Sequence, residues 1–576
     1  MIDIKFYRCY TCIYGRSYRG NLMQLMEANK SVNFVVTLVC AVLISGIVLT
    51  EIILSMTPPV ARDALIHHLA IPKLWLQNGG FYETPWAVYS YYPMNVDLLY
   101  LIPLYFKNDI IPNFISMAFG IATALVIFFY LQRTSGRPAA FFGALVFLST
   151  PIVIRMSTVA YVDLGLTFFI TVSLFAYIRW RNCRYQSNSW LFISATAMGI
   201  ACGTKYNALI AWFFLTVALI FVYSRDTRAQ KKALLYGVIF FMISLAFFSP
   251  WLIKNFVLTG NPFYPLFQGL LGTGSSSGLS ALSGNDSALS IFKTREILYG
   301  ENFWETLLVP IRYFFAGEDH SDRFFDGVLN PILIAFIPFA FMSKTQHRHC
   351  FLFLIFSVFF ILLAFFLGQL RIRYILPVLP ALTVLTVTGL VNILNWTKER
   401  TNSFRLAILT AVFFLIVFLV GKNVFYAKNY FQSVQPTKYI AGRESRDDFI
   451  QRHVKSYAAM KYINTNTSPQ ARIRLILLAG RGYYLERAFE EDSSFGIDII
   501  RKMIEHSRNE NKFQSYLLSL NCSHLLINMK LFKEFLQNNY QPEEADTLLR
   551  RMNEALEIVY EAEGYAVYWL IMNKYL

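Results

Sequence analysis

Long apolar stretches fill the chain from Val32 to residue 422, and five basic clusters punctuate them. The clusters are Arg133/Arg137, Arg179/Arg181/Arg184, Arg225/Arg228/Lys231/Lys232, Lys344/Arg348 and Lys398/Arg400/Arg405. Each interval between clusters is apolar, with one polar island in its middle. Apolar runs of roughly 20 residues match the length of a bilayer-crossing helix, and short Lys/Arg-rich loops stay on the cytoplasmic side. If all five clusters stay inside, an even number of crossings separates neighbours, and every island falls on the outer face. The islands carry Asp163, Lys205, the segment 254–326 and Arg371/Arg373, and a first outer loop adds Asp63, His67 and His68.

Hydropathy and charge parity together predict about eleven crossings, near 33–56, 110–131, 138–155, 163–180, 189–204, 207–223, 233–251, 328–343, 350–368, 374–395 and 404–422. The apolar run 189–223 is too long for one span and has basic clusters on both sides. It reads as a hairpin turning at Gly203-Thr204-Lys205-Tyr206-Asn207. The apolar segment Tyr92–Phe106 is broken by Pro93, Asp97 and Pro103, and counting it as a crossing would put Asp163 inside. It is expected to skim the outer face.

Two outer loops are long, 57–109 and 252–327. The first contains Arg62–Leu69, expected to be helical, interrupted at Pro72 and stopped by Gly79-Gly80. The second contains a Gly/Ser-rich stretch, Gly272–Ser287, with the composition of a flap. After residue 422 the composition becomes that of a soluble domain, 423–576. Its predicted strands are Arg472–Ala479 and Ser523–Asn528, its helices Ile497–Leu518 and Pro542–Ala555. A hairpin, Leu556–Tyr560 and Tyr565–Ile571, closes around Ala562-Glu563-Gly564. The expected fold is therefore mostly α: a polytopic membrane domain, 32–422, with a small extracytoplasmic α/β domain.

Composition supports this division. The 576 residues are 55% hydrophobic and 15% charged, against about 25% charged in soluble proteins. The net charge of +16 is accounted for by inside-facing loops against an anionic leaflet. No nucleic-acid partner is expected, because no basic patch is interleaved with a recognition fold. Residues 1–31 are polar and basic with no apolar core, unlike a cleavable signal peptide, and read as a cytoplasmic leader. Met23 and Met26 are plausible alternative starts. Cys9 and Cys12 form a lone CxxC, a weak zinc signal without a second pair. The C-terminal domain has only Cys522 and no internal disulfide.

Several short segments, in order, resemble the motifs of bacterial polyprenyl-dependent glycosyltransferases of the GT-C type. Asp63-Ala64-Leu65 followed by His68 resembles their first-loop signature W-D-A-L-x-Y-H-L, and Tyr92-Pro93 their Y-P-P. Ala160-Tyr161-Val162-Asp163 resembles the second-loop aspartate motif, and Gly203-Thr204-Lys205-Tyr206 is similar to G-T-K-Y. Ser249–Asn255 and Thr259–Pro265 are similar to P-W-L-x-R-N-x-x-x-T-G-N-P-x-Y-P, and Arg373–Pro377 resembles R-Y-L-L-P. Relatives include lipid A aminoarabinose transferases and protein O-mannosyltransferases. Arg62 stands where the family usually has Trp, His67 where it has Tyr, and the first loop holds one acidic residue where many relatives hold a pair.

The resemblance implies inverting transfer of a sugar from a polyprenyl-phosphate carrier to a hydroxyl on a lipid, glycan or protein, at the outer face of the cytoplasmic (inner) membrane. Such a reaction needs a carboxylate to take the hydroxyl proton and cations to hold the leaving phosphate. Asp63 is the candidate base. Asp163 is a second catalytic candidate, as acceptor positioner or metal ligand. His67 and His68 are placed to orient Asp63 or to bind substrate. Lys205 and Arg373, then Arg371, are the phosphate-binding candidates, and the two arginines violate the positive-inside trend. Tyr92, Tyr206, Lys254 and Asn255 complete the substrate-binding set. A divalent cation is a candidate cofactor, with Asp63, Asp163 and His67 its candidate ligands, and the run Glu318–Asp322 offers a weaker acidic site. A transporter of lipid-linked sugars is the rival reading. It would be expected to show repeated halves and mid-membrane charges, whereas here no repeat is visible and the charges gather at one face.

Overall fold

The computed structural model describes residues 16–267, 291–342, 347–366, 370–492 and 494–571. The Cys9/Cys12 pair and the Gly272–Ser287 stretch lie outside them.

Among the described residues, eight helices are long and apolar enough to cross a membrane. The first is α1 (Arg16–Ser55), whose apolar part is Ser31–Ser55. Then come α2 (Ala70–Gln77) and α3 (Asp97–Tyr105), which are short, and α4 (Ile111–Thr134). Helices α5 (Arg137–Ser149) and α6 (Pro151–Ser157) are apolar and bent by 69° at their junction, a ninth span if they count as one. Pro151 explains the break, because it cannot donate into the preceding turn. Helix α7 (Asp163–Asn182) is followed by the shorter α8 (Asn188–Cys202), α9 (Ala208–Thr227) and α10 (Gln230–Thr259). The apolar stretch Ile332–Phe341 precedes α11 (His347–Phe366), a 3-10 turn over Ile372–Val378, α12 (Leu379–Thr397) and α13 (Asn402–Val434). Each predicted position falls on one of these helices or apolar segments, but among the described residues only eight helices, or nine spans with the bent pair, are long and apolar enough to cross, and Asn188–Cys202 and Ile332–Phe341 are shorter. The chain is a multi-pass helical membrane protein.

Burial separates inner helices from outer ones. The most apolar windows of Ile372–Thr397 and α7 are 89% and 78% buried, those of α1 and α13 only 11%. Side chains apolar all round and exposed on α1 and α13 suit lipid rather than water. Helix α7 packs on α4 and α8, and α8 in turn on α10. The segment Tyr92–Phe106 contains only the nine-residue α3, too short to span a bilayer.

Within the first outer loop, Ala64–His68 forms a single π-helical turn, with Leu69 N–H donating to the Ala64 carbonyl at 2.9 Å. Helix α2 then begins at Ala70 and runs through Pro72, so the proline does not interrupt it. Pro72 sits in the first turn, where no intrahelical N–H bond is lost.

The C-terminal unit is a five-stranded sheet in the order β2-β1-β3-β5-β4, formed by β1 (Arg472–Ile476), β2 (Ala488–Glu490), β3 (His524–Asn528), β4 (Leu556–Ala562) and β5 (Tyr565–Leu570). β1 lies parallel to β2 and β3, while β5 is antiparallel to β3 and β4. Alternation splits its side chains between two cores. Ile476, Leu525, Ile527 and Ala566 face the later helices, and Ile473, Leu475, Leu526 and Val567 face the helix Tyr457–Asn466. The predicted helix Ile497–Leu518 is two helices, Ile497–Ser507 and Glu510–Ser519, the second capped by the Asn509 side chain accepting from Lys512 N–H. Pro542–Ala555 is helical as expected. Helix α13 continues past 423 to Val434.

Candidate functional site

The polar islands meet. Asp63, at the start of the π-turn, ion-pairs with Arg373 of the 3-10 turn at 2.6 Å. Asp163, in the first turn of α7, ion-pairs with Lys205 at the α8–α9 turn at 2.7 Å. Two tyrosines join the pairs. The Tyr374 ring faces Lys205 at 4.8 Å and Arg373 at 5.2 Å. The Tyr161 ring faces Arg373 at 5.3 Å, and its hydroxyl accepts the Asp63 backbone N–H at 3.0 Å. Tyr161 is itself held by Tyr100, whose hydroxyl donates to the Tyr161 carbonyl at 2.9 Å.

The two pairs are built with opposite exposure. The Asp63 side chain is 15% exposed and its partner Arg373 8%, whereas Asp163 is 1% exposed and its partner Lys205 22%. Burial alone would raise the Asp63 carboxyl, but the Arg373 guanidinium, then His67 and His68, outweigh it and hold the group well below the carboxylate range. One oxygen of Asp163 and the Nε of Arg373 are buried without a hydrogen-bond partner among the described residues.

Both histidines belong to the π-turn that Asp63 begins. His68 Nδ1 is 2.6 Å from Asp97 Oδ1. Burial pushes His68 down to about 3 and raises Asp97 well above the usual carboxylate range. His67 stacks on Tyr89 at 4.6 Å, its basicity also lowered by burial and then by His68.

The remaining predicted residues frame this centre. Tyr92 meets Tyr206 edge-on at 5.6 Å. Asn255 donates to the Tyr91 carbonyl at 2.8 Å and to the Tyr206 hydroxyl at 3.1 Å. Lys254 donates to the Ser90 carbonyl and covers the Trp251 ring. Asn95 locks the motifs together: its N–H donates to the Gly203 carbonyl at 2.8 Å, and its side chain accepts from Trp251 at 2.8 Å. A Cβ on Gly203 would stand 2.1 Å from the Asn95 side chain, so only glycine permits this approach. Arg371 points away from Arg373, into a second charged cluster with Asp322 at 3.3 Å and Asp326 at 4.0 Å. There Arg155 holds Asp319 and Asp326 at 2.8 and 2.9 Å, and Tyr426 donates to Asp319 at 2.6 Å.

Asp97, Tyr161, Tyr374 and Arg155 were absent from the predicted set. Arg155 carried a readable signal: a lone arginine at the outer end of a crossing breaks the charge rule as Arg371 and Arg373 do. Asp97 carried another, an ionisable group inside an apolar run. Among the described residues, no three of His, Cys, Asp and Glu are grouped to hold a metal ion. Asp63 and Asp163 each face a cation, and Asp319 and Asp326 face Arg155.

Residues 89–270 match the family described as dolichyl-phosphate-mannose-protein mannosyltransferase. Among solved structures, the chain is similar to ArnT from Cupriavidus metallidurans bound to undecaprenyl phosphate, with a TM-score of 0.54, 15% identity and coverage of 92% of this chain and 97% of that one. It is also similar to the apo state of ArnT from the same organism, with a TM-score of 0.51, 14% identity and coverage of 94% and 98%. No curated protein matches the chain by sequence. The likeness extends over nearly the whole of both chains, and the fold is that of ArnT.

Proposed function

We propose that the protein is a membrane glycosyltransferase that moves a sugar from a polyprenyl-phosphate carrier to a hydroxyl acceptor, with inversion. The single observation that carries this reading is the convergence of Asp63, Asp163, Lys205 and Arg373, drawn from four separate outer segments, into one cluster. The matched family description and the undecaprenyl phosphate bound to ArnT support a lipid-phosphate donor. The site faces the outer side of the cytoplasmic membrane, and the C-terminal domain lies on that side.

The acceptor oxygen attacks the anomeric carbon while its proton passes to the Asp63 carboxylate. The bond from that carbon to the phosphate oxygen breaks, and its electron pair leaves with the carrier phosphate. Lys205 and Arg373 stabilise that charge, in a site where preorganised cations act more strongly than in water. A phosphate leaving group needs no general acid. Asp163 acts through Lys205, holding the ammonium in place.

The resting Asp63–Arg373 pair makes Asp63 a weak base. A donor phosphate competes for the Arg373 guanidinium, and an aspartate released from its cation becomes more basic. Proton acceptance is thereby tied to donor binding. Acceptor classes compatible with the site are a lipid, a glycan or a protein.

The test is incubation of the purified full-length protein with polyprenyl-phosphate sugars and candidate acceptors, followed by mass spectrometry. A product heavier by one sugar, with free polyprenyl phosphate released, is the expected result. Movement of intact lipid-linked sugar across vesicles without sugar transfer would favour a transporter instead.

A further inference from the structure

The C-terminal domain reaches the site through one loop. After β1 the backbone takes positive φ at Leu477 (60°), Ala479 (53°) and Gly480 (74°). Such conformations are costly for side-chain-bearing residues and persist only where the surroundings enforce them. Here they do. The buried Glu491 carboxylate accepts the Leu478 N–H at 3.2 Å. A Cβ on Gly480 would stand 3.1 Å from Ile66 of the π-turn. Lys73 of α2 donates to the Tyr483 and Leu485 carbonyls at 2.6 and 2.9 Å, and the Tyr484 hydroxyl donates to the Pro59 carbonyl at 2.6 Å.

This loop delivers Arg481. The groups that act most strongly on its charge include Arg62, Tyr565, Tyr161 and Asp63. The carboxylate among them, Asp63, is engaged by Arg373. Arg481 forms no ion pair among the described residues, and its Nε is buried without a hydrogen-bond partner. Arg62 is exposed and likewise forms no ion pair there. Burial, and then the neighbouring Arg62, lower the basicity of Arg481. Gly480 against Ile66 and Tyr484 against Pro59 seat this loop across the segment that carries Arg62, so two guanidiniums with no ion-pair partner among the described residues are brought to one seam, and guanidinium forks suit an oxyanion.

We infer that Arg481 and Arg62 form an anion-binding subsite at the seam between the two domains, which takes a phosphate or carboxylate borne by the acceptor. Assigning the anion to the acceptor rests on the proposed glycosyl transfer. The carrier phosphate has its own cations, Lys205 and Arg373, each already paired with an aspartate. The acceptor hydroxyl would be steered to Asp63 by an anionic group bound beside it.

Arginine-specific labelling with phenylglyoxal, read residue by residue by mass spectrometry on the full-length protein in nanodiscs, tests this. Inorganic phosphate is expected to slow labelling of Arg62 and Arg481 at least about five-fold relative to chloride at equal ionic strength. The protection should persist with undecaprenyl phosphate bound, and undecaprenyl phosphate alone should not give it. In Arg481→Gln, phosphate should no longer protect Arg62. Equal labelling in phosphate and chloride would overturn the inference, as would protection of both arginines by undecaprenyl phosphate alone or retained protection in Arg481→Gln. If undecaprenyl phosphate fails to bind while phosphate still protects, the transferase reading fails and the anion subsite stands. Should Arg481→Gln not fold, the wild-type comparison decides alone.

Discussion

The two carboxylate–cation pairs are chemically alike and structurally inverted. In one, the carboxylate Asp63 is the more exposed partner; in the other, the cation Lys205 is. Exposure, and not the presence of a charge, decides what each pair offers a substrate. On the proposed mechanism the first offers an oxygen to a proton, and the second offers an ammonium to a phosphate. On that mechanism Asp163 has a different task from Asp63, although both head outer-loop motifs, because it is sealed behind the lysine it holds.

The strongest way to break this contrast is to neutralise the two aspartates separately. Asp63→Asn should lower kcat by about 10²- to 10⁴-fold, with membrane expression and undecaprenyl phosphate binding preserved. Full activity in that variant would remove Asp63 as the base. Asp163→Asn should instead resemble Lys205→Ala, each weakening apparent affinity for the lipid donor by about 10- to 100-fold, the size of a lost charge-assisted hydrogen bond. The double variant should be little worse than either single, since coupled residues are not additive. Additive losses would show that Asp163 acts independently of Lys205.

The contrast is sharpened by pH. Arg373, against burial, keeps the Asp63 carboxyl depressed. Arg373→Gln leaves burial opposed by fewer cations, so the Asp63 pKa must rise. The acid limb of kcat/KM should therefore move to higher pH, by about 1–3 units. An unmoved limb would mean that another group sets it. The smallest effect is expected from a chelator, because each aspartate already has a cationic partner. Loss of all activity, restored by one divalent metal, would show that at least one pair opens to take a metal ion.

Charge parity alone foretold that Asp63, Asp163, Lys205 and Arg373 would share a face, because each island had to lie an even number of crossings from its neighbours. The Lys205 turn was legible from the one polar pentapeptide in a long apolar run. The pairings themselves were not legible. Nothing local to Asp63 selects Arg373 over Lys205, and the choice is made by how α7 and the 3-10 turn pack. The sheet was partly legible for the same reason. β1 and β3 are apolar runs with clear ends, whereas β2 has three residues and exists only by pairing with β1. Helix Met529–Asn539 starts directly at the end of β3, where Asn528 caps it, leaving no polar break for a sequence reading to catch. The run Arg481-Gly482-Tyr483-Tyr484 reads locally as a loop after a strand, and the significance of Arg481 comes from the folding of that loop onto a distant turn.

Helix α13 has 33 residues, about 50 Å at 1.5 Å per residue, which exceeds the hydrocarbon thickness of about 30 Å. It therefore works as a rigid mast whose upper turns clear the lipid, with Tyr426 and Tyr430 bracing it against Asp319 and Thr158. A mast sets azimuth as well as height. One residue inserted below Tyr426 would turn the helix above it by about 100° and set it against the contacts that anchor the Arg481 loop to Pro59, Ile66 and Lys73.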